Sequence, residues 1–371
     1  MHIEFIGLKK VLFIVINDVV TDQRLERIAG SMHDAGYDVT IIGRKLRLSP
    51  EIKRPYKVKR LRFLINKSFA FYACFNVRLF FILLFSRFDI VVANDLDTLP
   101  AAHLAAYFRR KKVVFDSHEL FPEVPELQHR PLVKSFWQRV ERIFVKRQKF
   151  AMTVCDSIAD YYLRKYNVAF QVIRNVPVIQ PEIKTDIHSD KFPQPLIVYQ
   201  GALNMGRGLE TLILSLKYSL DIHLLMMGSG DIEQELKTIV KNNELEKRVF
   251  FTGRLMPSEL KKYTIQAKLG VSLEDNMGLN YYYALPNKLF DYIHAGLPVL
   301  VSDFPEMKNI VEKFNVGLTI SDKTPEKLGA LLELMLKDVR YTIWKENTII
   351  AADMLNWTHE EKILLGFYAK I

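Results

Sequence analysis

Short, wholly apolar runs alternate along the chain with stretches in which apolar residues recur every three or four positions. The first run, residues 11–16, reads VLFIVI, and the stretch TDQRLERIAGSMHDAG after it places its apolar residues on one helical face and stops at Gly36. A continuous apolar run is typical of a strand buried on both faces, and the longer spacing is typical of an amphipathic helix. Their alternation predicts a parallel sheet covered by helices.

The apolar runs fall into two series separated by a proline-rich break. Further strands are predicted at residues 38–43, 89–94, 112–118 and 152–155, and then at residues 196–202, 222–230, 249–253, 269–275, 297–303 and 316–320. The break, residues 176–195, holds four prolines and several charges without periodicity. The two series predict an α/β chain of the type with two tandem Rossmann-like, doubly wound parallel-sheet domains and an interdomain cleft.

The same pattern predicts the domain boundaries. We expect an N-terminal domain over residues 1–180, a linker over 181–195, a C-terminal domain over 196–355, and an amphipathic helix in 356–371 that packs back on the N-terminal domain. The length of 371 residues agrees with two domains, because a single hydrophobic core rarely grows so large.

The charge distribution indicates an anionic partner. The net charge is +10, and basic residues concentrate in the first half, at residues 44–62, 109–112 and 145–149. Between them, residues 69–85 are apolar and aromatic and are interrupted only by Asn76 and Arg78. This run is too short to cross a bilayer, so it either lies on an anionic membrane surface or forms a core helix. Nothing in the chain resembles an aromatic and glycine-rich nucleic-acid surface.

The two cysteines favour a reducing compartment, and the N-terminal segment does not have the pattern of a signal peptide. Cys74 and Cys155 are far apart in apolar surroundings, which fits neither a disulfide framework nor a zinc site. The opening segment MHIEFIGLKKVLFIVIN is interpreted as a first strand, because no small-residue cleavage site follows it. We therefore expect a cytoplasmic protein, with peripheral contact on the inner face of the plasma membrane if residues 69–85 lie on it.

Glycines and a cation follow the first strand of the second series. In YQGALNMGRGLETLILSL, Gly201, Gly206 and Gly208 permit close approach to the backbone, and the start of the next helix offers N–H groups to an anion. Arg207 adds a fixed positive charge suited to a diphosphate. A turn used only for packing also uses glycine but does not need the arginine.

A second polar segment, SLEDNMGLNYYYALPNKLFDY, follows another strand of this series. Glu274, Asp275 and Asn276 come directly after the strand, so we expect these carboxylate and amide side chains to project into the cleft and bind sugar hydroxyls. Lys288 lies at the start of a helix, where the dipole favours a diphosphate, and Asp291 one turn later is placed to bind a ribose. The alternative is an exposed Lys288–Asp291 pair, worth about 0.2–0.5 kcal/mol.

Polar residues also follow strands of the first series. In DSHELFPEVPELQHRP, His118 can hydrogen-bond a sugar hydroxyl or take a proton, unless it is a loop histidine with structural partners only. In ANDLDTLP, Asp95 and Asp97 either orient a substrate or cap the next helix. Their D-x-D spacing is that of a metal motif from a differently built fold, so no metal site is expected. The first loop, NDVVTDQR, lacks G-x-G-x-x-G, which argues against a dinucleotide site.

The second domain, from Val198 to Asp338, resembles the GT-B glycosyltransferases of family 4, a retaining group. QGALNMGRGLETLI is similar to the family's G-R-L…K-G-…-L-I segment, in which an Arg and a Lys hold the donor diphosphate. Arg207 and Gly208 stand at the K-G, whereas Ala202 replaces the family's Arg. Lys288 is our candidate for the missing cation.

The acidic pair of this family, E-x7-E, is matched with altered spacing. PNKLFDYIHAGLPVL is similar to its second half, with Asp291 in place of the second Glu, and a subgroup with P-[NS]-K-x-F-E-Y at this helix is the most similar. Either Glu274 or Asp275 takes the place of the first Glu, with an insertion after it. His118 corresponds by position to a histidine that many members place near the donor sugar.

The resemblance implies a metal-independent glycosyltransferase of hexosyltransferase type, without a cofactor. It would move a sugar with retention from a UDP- or GDP-linked donor, bound by the second domain, to a glycan or lipid-linked acceptor, bound by the first, as in bacterial cell-surface polysaccharide synthesis. The implied catalytic residues are His118, Arg207 and Lys288. The implied donor-binding residues are Gly201, Gly206, Arg207, Gly208, Gly253, Arg254, Glu274, Asp275, Asn276, Met277, Gly278, Asn287, Lys288, Leu289 and Asp291. On the acceptor side they are Asp18, Asp95, Asp97, His118 and Glu119.

Two other functions remain open from the sequence. Ala202 and the altered acidic spacing are compatible with a catalytically silent GT-B module that only binds a sugar nucleotide or glycan. A GT-B sugar-nucleotide epimerase would share the nucleotide site but would need no acceptor, and the basic, aromatic run of the first domain argues against it.

Overall fold

A computed structural model describes residues 8–47, 49–65, 68–179 and 192–371 of the chain. These residues form two compact units, Met1–Asn175 with Glu360–Ile371, and Val176–His359. Most of the predicted linker, residues 181–191, lies outside the described residues.

The first unit is built on a parallel sheet of seven strands. The strands are β1 Lys10–Asp18, β2 Asp38–Arg44, β3 Lys57–Leu61, β4 Ile90–Asn94, β5 Lys112–Ser117, β6 Ala151–Thr153 and β7 Gln171–Val172. They are hydrogen-bonded in the order β3-β2-β1-β4-β5-β6-β7. The helices are α1 Gln23–Asp34, α2 Ser68–Phe85, α3 Leu99–Arg109, α4 Pro125–Gln128, α5 Pro131–Val145 and α6 Asp156–Tyr166, with 3-10 turns at Val19–Thr21 and Phe121–Glu123.

The second unit repeats this construction with six parallel strands. They are β8 Leu196–Gln200, β9 His223–Met227, β10 Val249–Gly253, β11 Leu269–Ser272, β12 Val299–Ser302 and β13 Gly317–Ile320, in the order β10-β9-β8-β11-β12-β13. The helices are α7 Leu209–Ser215, α8 Glu233–Asn242, α9 Pro257–Thr264, α10 Leu279–Tyr282, α11 Asn287–His294, α12 Pro305–Phe314, α13 Pro325–Lys337 and α14 Tyr341–Met354, with a 3-10 turn at Leu216–Tyr218. The last helix, α15 Trp357–Ala369, belongs from Glu360 onward to the first unit.

Each sheet reverses its strand order beside its first strand. The reversal lies between β1 and β4 in the first unit and between β8 and β11 in the second. In doubly wound sheets, ligands bind in the crevice outside the carboxyl ends of the strands at this switch point. The loops that follow β1, β4, β8 and β11 are therefore where a ligand is expected to bind. The predicted pair of doubly wound parallel-sheet domains is confirmed.

Two edge strands were not predicted. Residues 57–61 form β3, which pairs in parallel with β2, although their sequence KVKRL looks like part of a basic segment. An edge strand is covered by the sheet on one side only, and lysines there prevent pairing with other chains. Its apolar pattern is therefore weak, and the two-residue β7 is too short to give any pattern.

Helix α2 contains the apolar run 69–85, for which two placements were open. One side of the helix is core, because Phe71, Phe75, Leu79 and Leu83 are all buried. The opposite side is apolar as well, yet the side chains of Phe81 and Phe85 are 54% and 80% exposed. None of the helices in the described ranges is long and apolar enough to cross a membrane.

Candidate active site

The loops that follow β8 and β11 pack tightly against each other at the switch point of the second unit. Gly208 has a φ of +65°, and a Cβ built on it would lie 2.2 Å from the carbonyl oxygen of Leu273. Gly206 accepts a 2.9 Å hydrogen bond from the amide of Asp275. The glycines thus allow the two loops to touch. The helix after them, α7, has only seven residues.

A buried carboxylate, Glu274, lies where these loops meet. Its side chain is completely buried, and its Oε1 accepts hydrogen bonds from Lys288 Nζ at 2.8 Å and from Arg207 Nη1 at 3.4 Å. Its Oε2 accepts a 2.9 Å hydrogen bond from Ser272 Oγ. Residues distant in sequence, Arg207 and Lys288, are therefore brought to one carboxylate oxygen.

The two cations also lie on aromatic rings. Lys288 Nζ is 4.2 Å from the centroid of the Tyr199 ring, and Arg207 Cζ is 4.8 Å from that of Tyr281. Ring faces attract cations, most strongly where water is excluded. The side chain of Lys288 is 8% exposed and that of Arg207 is 25% exposed, so the arginine is the more accessible of the two.

The surroundings keep Glu274 and Arg207 ionised. Burial by itself raises the pKa of Glu274, but Lys288 and Arg207 outweigh it and lower this pKa to about 2. Burial lowers the pKa of Arg207, and Glu274 more than compensates, so the net shift is upward. The cluster carries two positive charges and one negative charge, which leaves a net charge of +1 for an anion.

Glu274 does not project outward as expected, because it is fully buried and holds the two cations. Asp275 is the accessible carboxylate of the pair, with 48% of its side chain exposed and a 2.6 Å ion pair from its Oδ1 to Lys323 Nζ. Between the two candidates for the first acidic position, exposure thus favours Asp275. Glu274 instead pairs with the two cations, Arg207 and Lys288.

Lys288 and Asp291 have separate partners. Lys288 pairs with Glu274, whereas Asp291 Oδ2 accepts a 2.7 Å hydrogen bond from Gln200 Nε2. Gln200 Oε1 in turn accepts a 2.9 Å bond from Thr264 Oγ1, so the end of β8 is linked to α9 and α11. Helix α11 therefore has Lys288 toward the Arg207 loop and Asp291, one turn later, on the end of β8.

The other predicted donor residues differ in accessibility. Arg254, Asn276 and Asn287 are exposed, and Gly253, Met277 and Gly278 are partly exposed. The Met277 sulfur lies against Gly206, where an added Cβ would come within 2.2 Å of it. Leu289 is 0% exposed, so its side chain belongs to the core and could meet a ligand only through its backbone. The apolar face of α11 that packs on the sheet includes this position.

In the first unit, His118 lies between two carboxylates at the carboxyl ends of β4 and β5. Its Nε2 is 3.1 Å from Asp116 Oδ2, and its Nδ1 is 3.3 Å from Asp95 Oδ2. The His118 amide also donates a 2.8 Å bond to Asp95 Oδ1. Arg24, which is buried, donates to both oxygens of Asp116, at 2.7 and 3.1 Å. The network is thus Arg24–Asp116–His118–Asp95.

The network holds His118 as an imidazolium. Burial lowers its pKa, but Asp95 and Asp116 outweigh burial and raise it to about 9. Burial also opposes ionisation of Asp116, yet Arg24 and His118 bring its pKa down to about 2. Both ring nitrogens then donate to carboxylates. An imidazolium has no lone pair to offer, so the raised pKa of His118 argues against its expected role as a proton acceptor at neutral pH.

We expect the His118 ring to titrate near pH 9 rather than near its ordinary 6.5. The measurement is an NMR titration of ¹³C-labelled protein. Because the chain has 9 histidines, the His118 resonance is identified as the one that is missing from the spectrum of the His118→Gln variant. Because the folded pKa is above the unfolded one, ionised His118 stabilises the fold fully below pH 6.5 and loses this contribution as pH rises through 9. The melting temperature should fall more for the parent than for His118→Gln between pH 7 and 10. A midpoint at or below pH 6.5 would contradict this assignment.

The remaining acceptor-side residues have mostly structural partners. Asp18 accepts a 3.3 Å bond from the Val20 amide, and its side chain contacts Ser49 and lies 3.9 Å from Arg60. Asp97 is 3% exposed, and burial with Asp95 and Glu119 nearby raises its pKa well above the usual value.

The expectation that Asp95 or Asp97 caps the next helix is wrong. Thr98 is the N-cap of α3 and makes no side-chain cap hydrogen bond, and the Asp95 side chain instead accepts the bond from the His118 amide. Glu119 is partly exposed beside His118, and its carbonyl accepts a 2.9 Å bond from Ser117 Oγ. Within the described part of the chain, no three His, Cys, Asp or Glu side chains are grouped as a metal site would require.

Several polar residues that build these networks were not predicted as site residues from the sequence: Arg24, Asp116, Tyr199, Gln200, Thr264, Ser272, Ser302 and Lys323. Some of them had a signal, because Gln200, Ser272 and Ser302 are polar residues that end apolar strands. Arg24 and Lys323 had none, since Arg24 is a basic residue in the first turn of α1 and Lys323 is a basic residue in the loop after β13. Only the pairing of strands places them beside their partners.

Comparison with known families covers both units. A family model described as Glycosyltransferase Family 4 matches residues 23–177, and one described as Glycosyl transferases group 1 matches residues 182–349. A curated relative, chitobiosyldiphosphodolichol beta-mannosyltransferase of Candida albicans, is 23% identical over 296 residues, which are 70% of this chain. The matched part spans 64% of that relative's length.

Solved structures with the same fold cover nearly the whole chain. Sucrose-phosphate synthase from Thermosynechococcus elongatus has a TM-score of 0.77 at 17% identity, with 98% of each chain covered. Anabaena Alr3699/HepE in complex with UDP and glucose has a TM-score of 0.73 at 13% identity, with 98% of this chain and 100% of that chain covered. The fold is therefore GT-B, and the two family models, which match one unit each, support a family 4-like GT-B glycosyltransferase, as the sequence predicted.

Proposed function

We propose that the chain is a hexosyltransferase that moves a sugar, with retention and without a metal ion, from a UDP- or GDP-sugar to a glycan or lipid-linked acceptor in bacterial cell-surface polysaccharide synthesis. The observation that carries this proposal is the pair of cations, Arg207 and Lys288, held on buried Glu274 at the switch point of the second unit. A diphosphate needs such fixed positive charge when the bond to the sugar breaks. HepE, whose structure contains UDP and glucose, is similar to this chain in fold.

The donor would extend over three polar groups of the second unit. In the proposed arrangement, Asp291, which Gln200 holds in place, binds the ribose. Arg207 and Lys288 bind the diphosphate, and Asp275 binds the sugar. Loop glycines at 201, 206 and 208 let the backbone approach the phosphates. Support comes from the contact of Gln200 with Asp291, from the pairing of Arg207 and Lys288 with Glu274, and from the half-exposed side chain of Asp275.

We propose front-face substitution for the chemical step. The bond from the sugar C1 to the diphosphate oxygen breaks, the acceptor oxygen forms its bond to C1 on the same face, and the acceptor proton passes to the departing phosphate oxygen. Glu274 is unsuited to act as a nucleophile, because its carboxylate is fully buried and paired with two cations. Trapping of a covalent glycosyl-enzyme by mass spectrometry would refute this step.

The donor class is tested by a thermal-shift screen against UDP, GDP and their common sugar conjugates, without metal. A ligand that binds only the folded state, at a concentration of 100 times its Kd, adds about 2.7 kcal/mol to the free energy of unfolding. We expect one nucleotide series to raise the melting temperature of the parent, and a smaller shift in Arg207→Ala and Asp291→Ala. Binding without turnover on any glycan or lipid-linked acceptor would favour the silent module. No shift with any nucleotide would remove the main support for the proposal.

We also propose that the first unit contacts an anionic membrane through an α2–α3 aromatic patch, defined as Phe80, Phe81, Phe85, Tyr107 and Phe108. The rings of Phe80 and Phe108 are 6.1 Å apart, so the two helices form one surface, and Tyr107 is 74% exposed. The exposed cations Arg78, Arg87 and Arg110 are close to the patch in sequence. Exposed aromatic rings with cations around them suit the interface of an anionic bilayer.

Vesicle flotation tests this surface. The protein should float with phosphatidylglycerol vesicles at low salt and much less with phosphatidylcholine vesicles. Phe81→Ser with Phe85→Ser should reduce the floated fraction several-fold, because about 2 kcal/mol of transfer free energy is lost for each buried ring. Ile349→Ser, at a 69% exposed position of α14, is the matched control. Equal flotation of the double variant and the parent would refute the patch.

A further inference from the structure

Lys323 lies just beyond the carboxyl end of β13 and is fully engaged with the segment that follows β11. Its Nζ donates to Glu274 O at 2.6 Å, to Leu273 O at 3.2 Å and to Asp275 Oδ1 at 2.6 Å. An ammonium group has three N–H donors, so these three acceptors use all of them. The side chain is only 17% exposed, although lysine is normally a surface residue.

This lysine fixes a short piece of chain from which the two carboxylates point in different directions. The Glu274 carbonyl also accepts a 2.7 Å bond from Ser302 Oγ on β12, and the Asp275 amide is bound to Gly206 O. The backbone of both residues is therefore held from β12, β13 and the Arg207 loop. Glu274 turns inward to the cations, and Asp275 turns outward with its Oδ1 on Lys323.

We infer that Lys323 is a positioning residue that sets which sugar the donor site accepts, by holding the Asp275 carboxylate in one orientation. The inference rests on the function proposed above. Donors that share a nucleotide differ only in the arrangement of their sugar hydroxyls, and a site discriminates among them through hydrogen-bonding groups of fixed direction. A carboxylate clamped at one oxygen presents such a direction, whereas a freely rotating one accepts from several hydroxyl arrangements.

The contact pattern separates this role from nucleotide binding. Lys323 bonds to the Asp275 carboxylate but only to the backbone carbonyl of Glu274. The predicted diphosphate cations Arg207 and Lys288 are joined to the Glu274 side chain instead. Loss of the lysine should therefore disturb the sugar part of the donor more than its nucleoside diphosphate. A merely structural lysine would instead affect both parts together through the stability of the loop.

The test compares free nucleotide with two epimeric donors by calorimetry, which needs no acceptor. The probes are UDP, UDP-glucose and UDP-galactose, or GDP, GDP-mannose and GDP-glucose, whichever nucleotide the parent binds. In Lys323→Met, we expect the Kd of the free nucleotide to stay within about twofold of the parent and the ratio of the two sugar-donor Kd values to fall about tenfold. Asp275→Asn should do the same, and the double variant should add nothing to Asp275→Asn.

A conservative variant tests the role of Lys323 further, and two results would contradict that role. Lys323→Arg keeps the charge and should restore part of the sugar selectivity. If Lys323→Met does not fold, the epimer ratio is measured in Lys323→Arg instead. An unchanged epimer ratio in a folded Lys323→Met variant would overturn the positioning role while leaving the proposed function intact. An equal loss of affinity for free nucleotide and for both donors would also overturn it. A parent that binds no nucleotide would overturn the proposed function itself and this inference with it.

Discussion

Replacement of Glu274 by glutamine is expected to lower the free energy of unfolding by about 3–5 kcal/mol, because it leaves two desolvated cations without their counter-charge. Lys288 is 8% exposed and Arg207 is 25% exposed, so water replaces the lost carboxylate poorly. Glutamine keeps the volume of the side chain and one oxygen that can accept from the cations, and its NH2 group can donate to Ser272 Oγ, so the main change is in charge. Urea titration of the whole chain measures the effect as a lower midpoint.

The matched control is the adjacent carboxylate. Asp275→Asn removes an ion pair to Lys323 in which the aspartate is 48% exposed, and exposed pairs contribute at most about 1 kcal/mol. Two neighbouring acidic residues should therefore differ several-fold in their effect on stability. Equal midpoints for the two variants would show that the Glu274 cluster is not the buried charge centre that its contacts indicate.

Replacement of Lys288 by methionine is expected to reduce kcat about 10²–10³-fold, because one fixed charge on the leaving diphosphate is lost. Methionine keeps the unbranched stem on the Tyr199 ring and removes only the ammonium group. The measurement is the initial rate with the nucleotide sugar that the screen identifies, at a temperature where the variant is folded. Lys237→Met, which removes an exposed pair to Glu233 on α8, is the control and should leave the rate unchanged.

A double variant separates catalysis from stability. Lys288→Met alone leaves Glu274 buried with one partner fewer, and its combination with Glu274→Gln removes both charges. The double variant should recover part of the lost stability, because an ion pair replaced as a whole costs less than one that is broken. Turnover should stay lost in the double variant. A rate that recovers together with stability would assign Lys288 a structural role only.

The local pattern of the chain was sufficient for the fold. Continuous apolar runs such as VLFIVI and LIVYQ become central parallel strands because both faces of a doubly wound sheet are covered by helices, so burial is visible in the sequence itself. Once strands and helices alternate, right-handed crossovers leave few ways to order the sheet. The strand ends were also predictable, and so were the loops that carry Arg207, Lys288 and His118.

The function of each side chain in those loops was not decided by the sequence. Glu274 and Asp275 are adjacent acids, and alternation after β11 allows either one to point inward. Ser302 at the end of β12 and Lys323 in the loop after β13 both bond to the Glu274 carbonyl, and in this arrangement Glu274 points to the buried cations and Asp275 points outward. These partners lie 28 and 49 positions away along the chain, where no local pattern relates them.

The same limit applies to His118. The sequence determined that a histidine follows β5, and a histidine at neutral pH is normally ready to accept a proton. Tertiary structure placed Asp95 and Asp116 on its two ring nitrogens and backed Asp116 with Arg24 from α1, which raises the pKa of His118 to about 9. Sequence therefore determined the central strands of both sheets, where these strands end and the residue types available there. Only the packing of distant strands decided which charges are buried, which are paired, and which face a ligand, because ionisation depends on the surroundings in space.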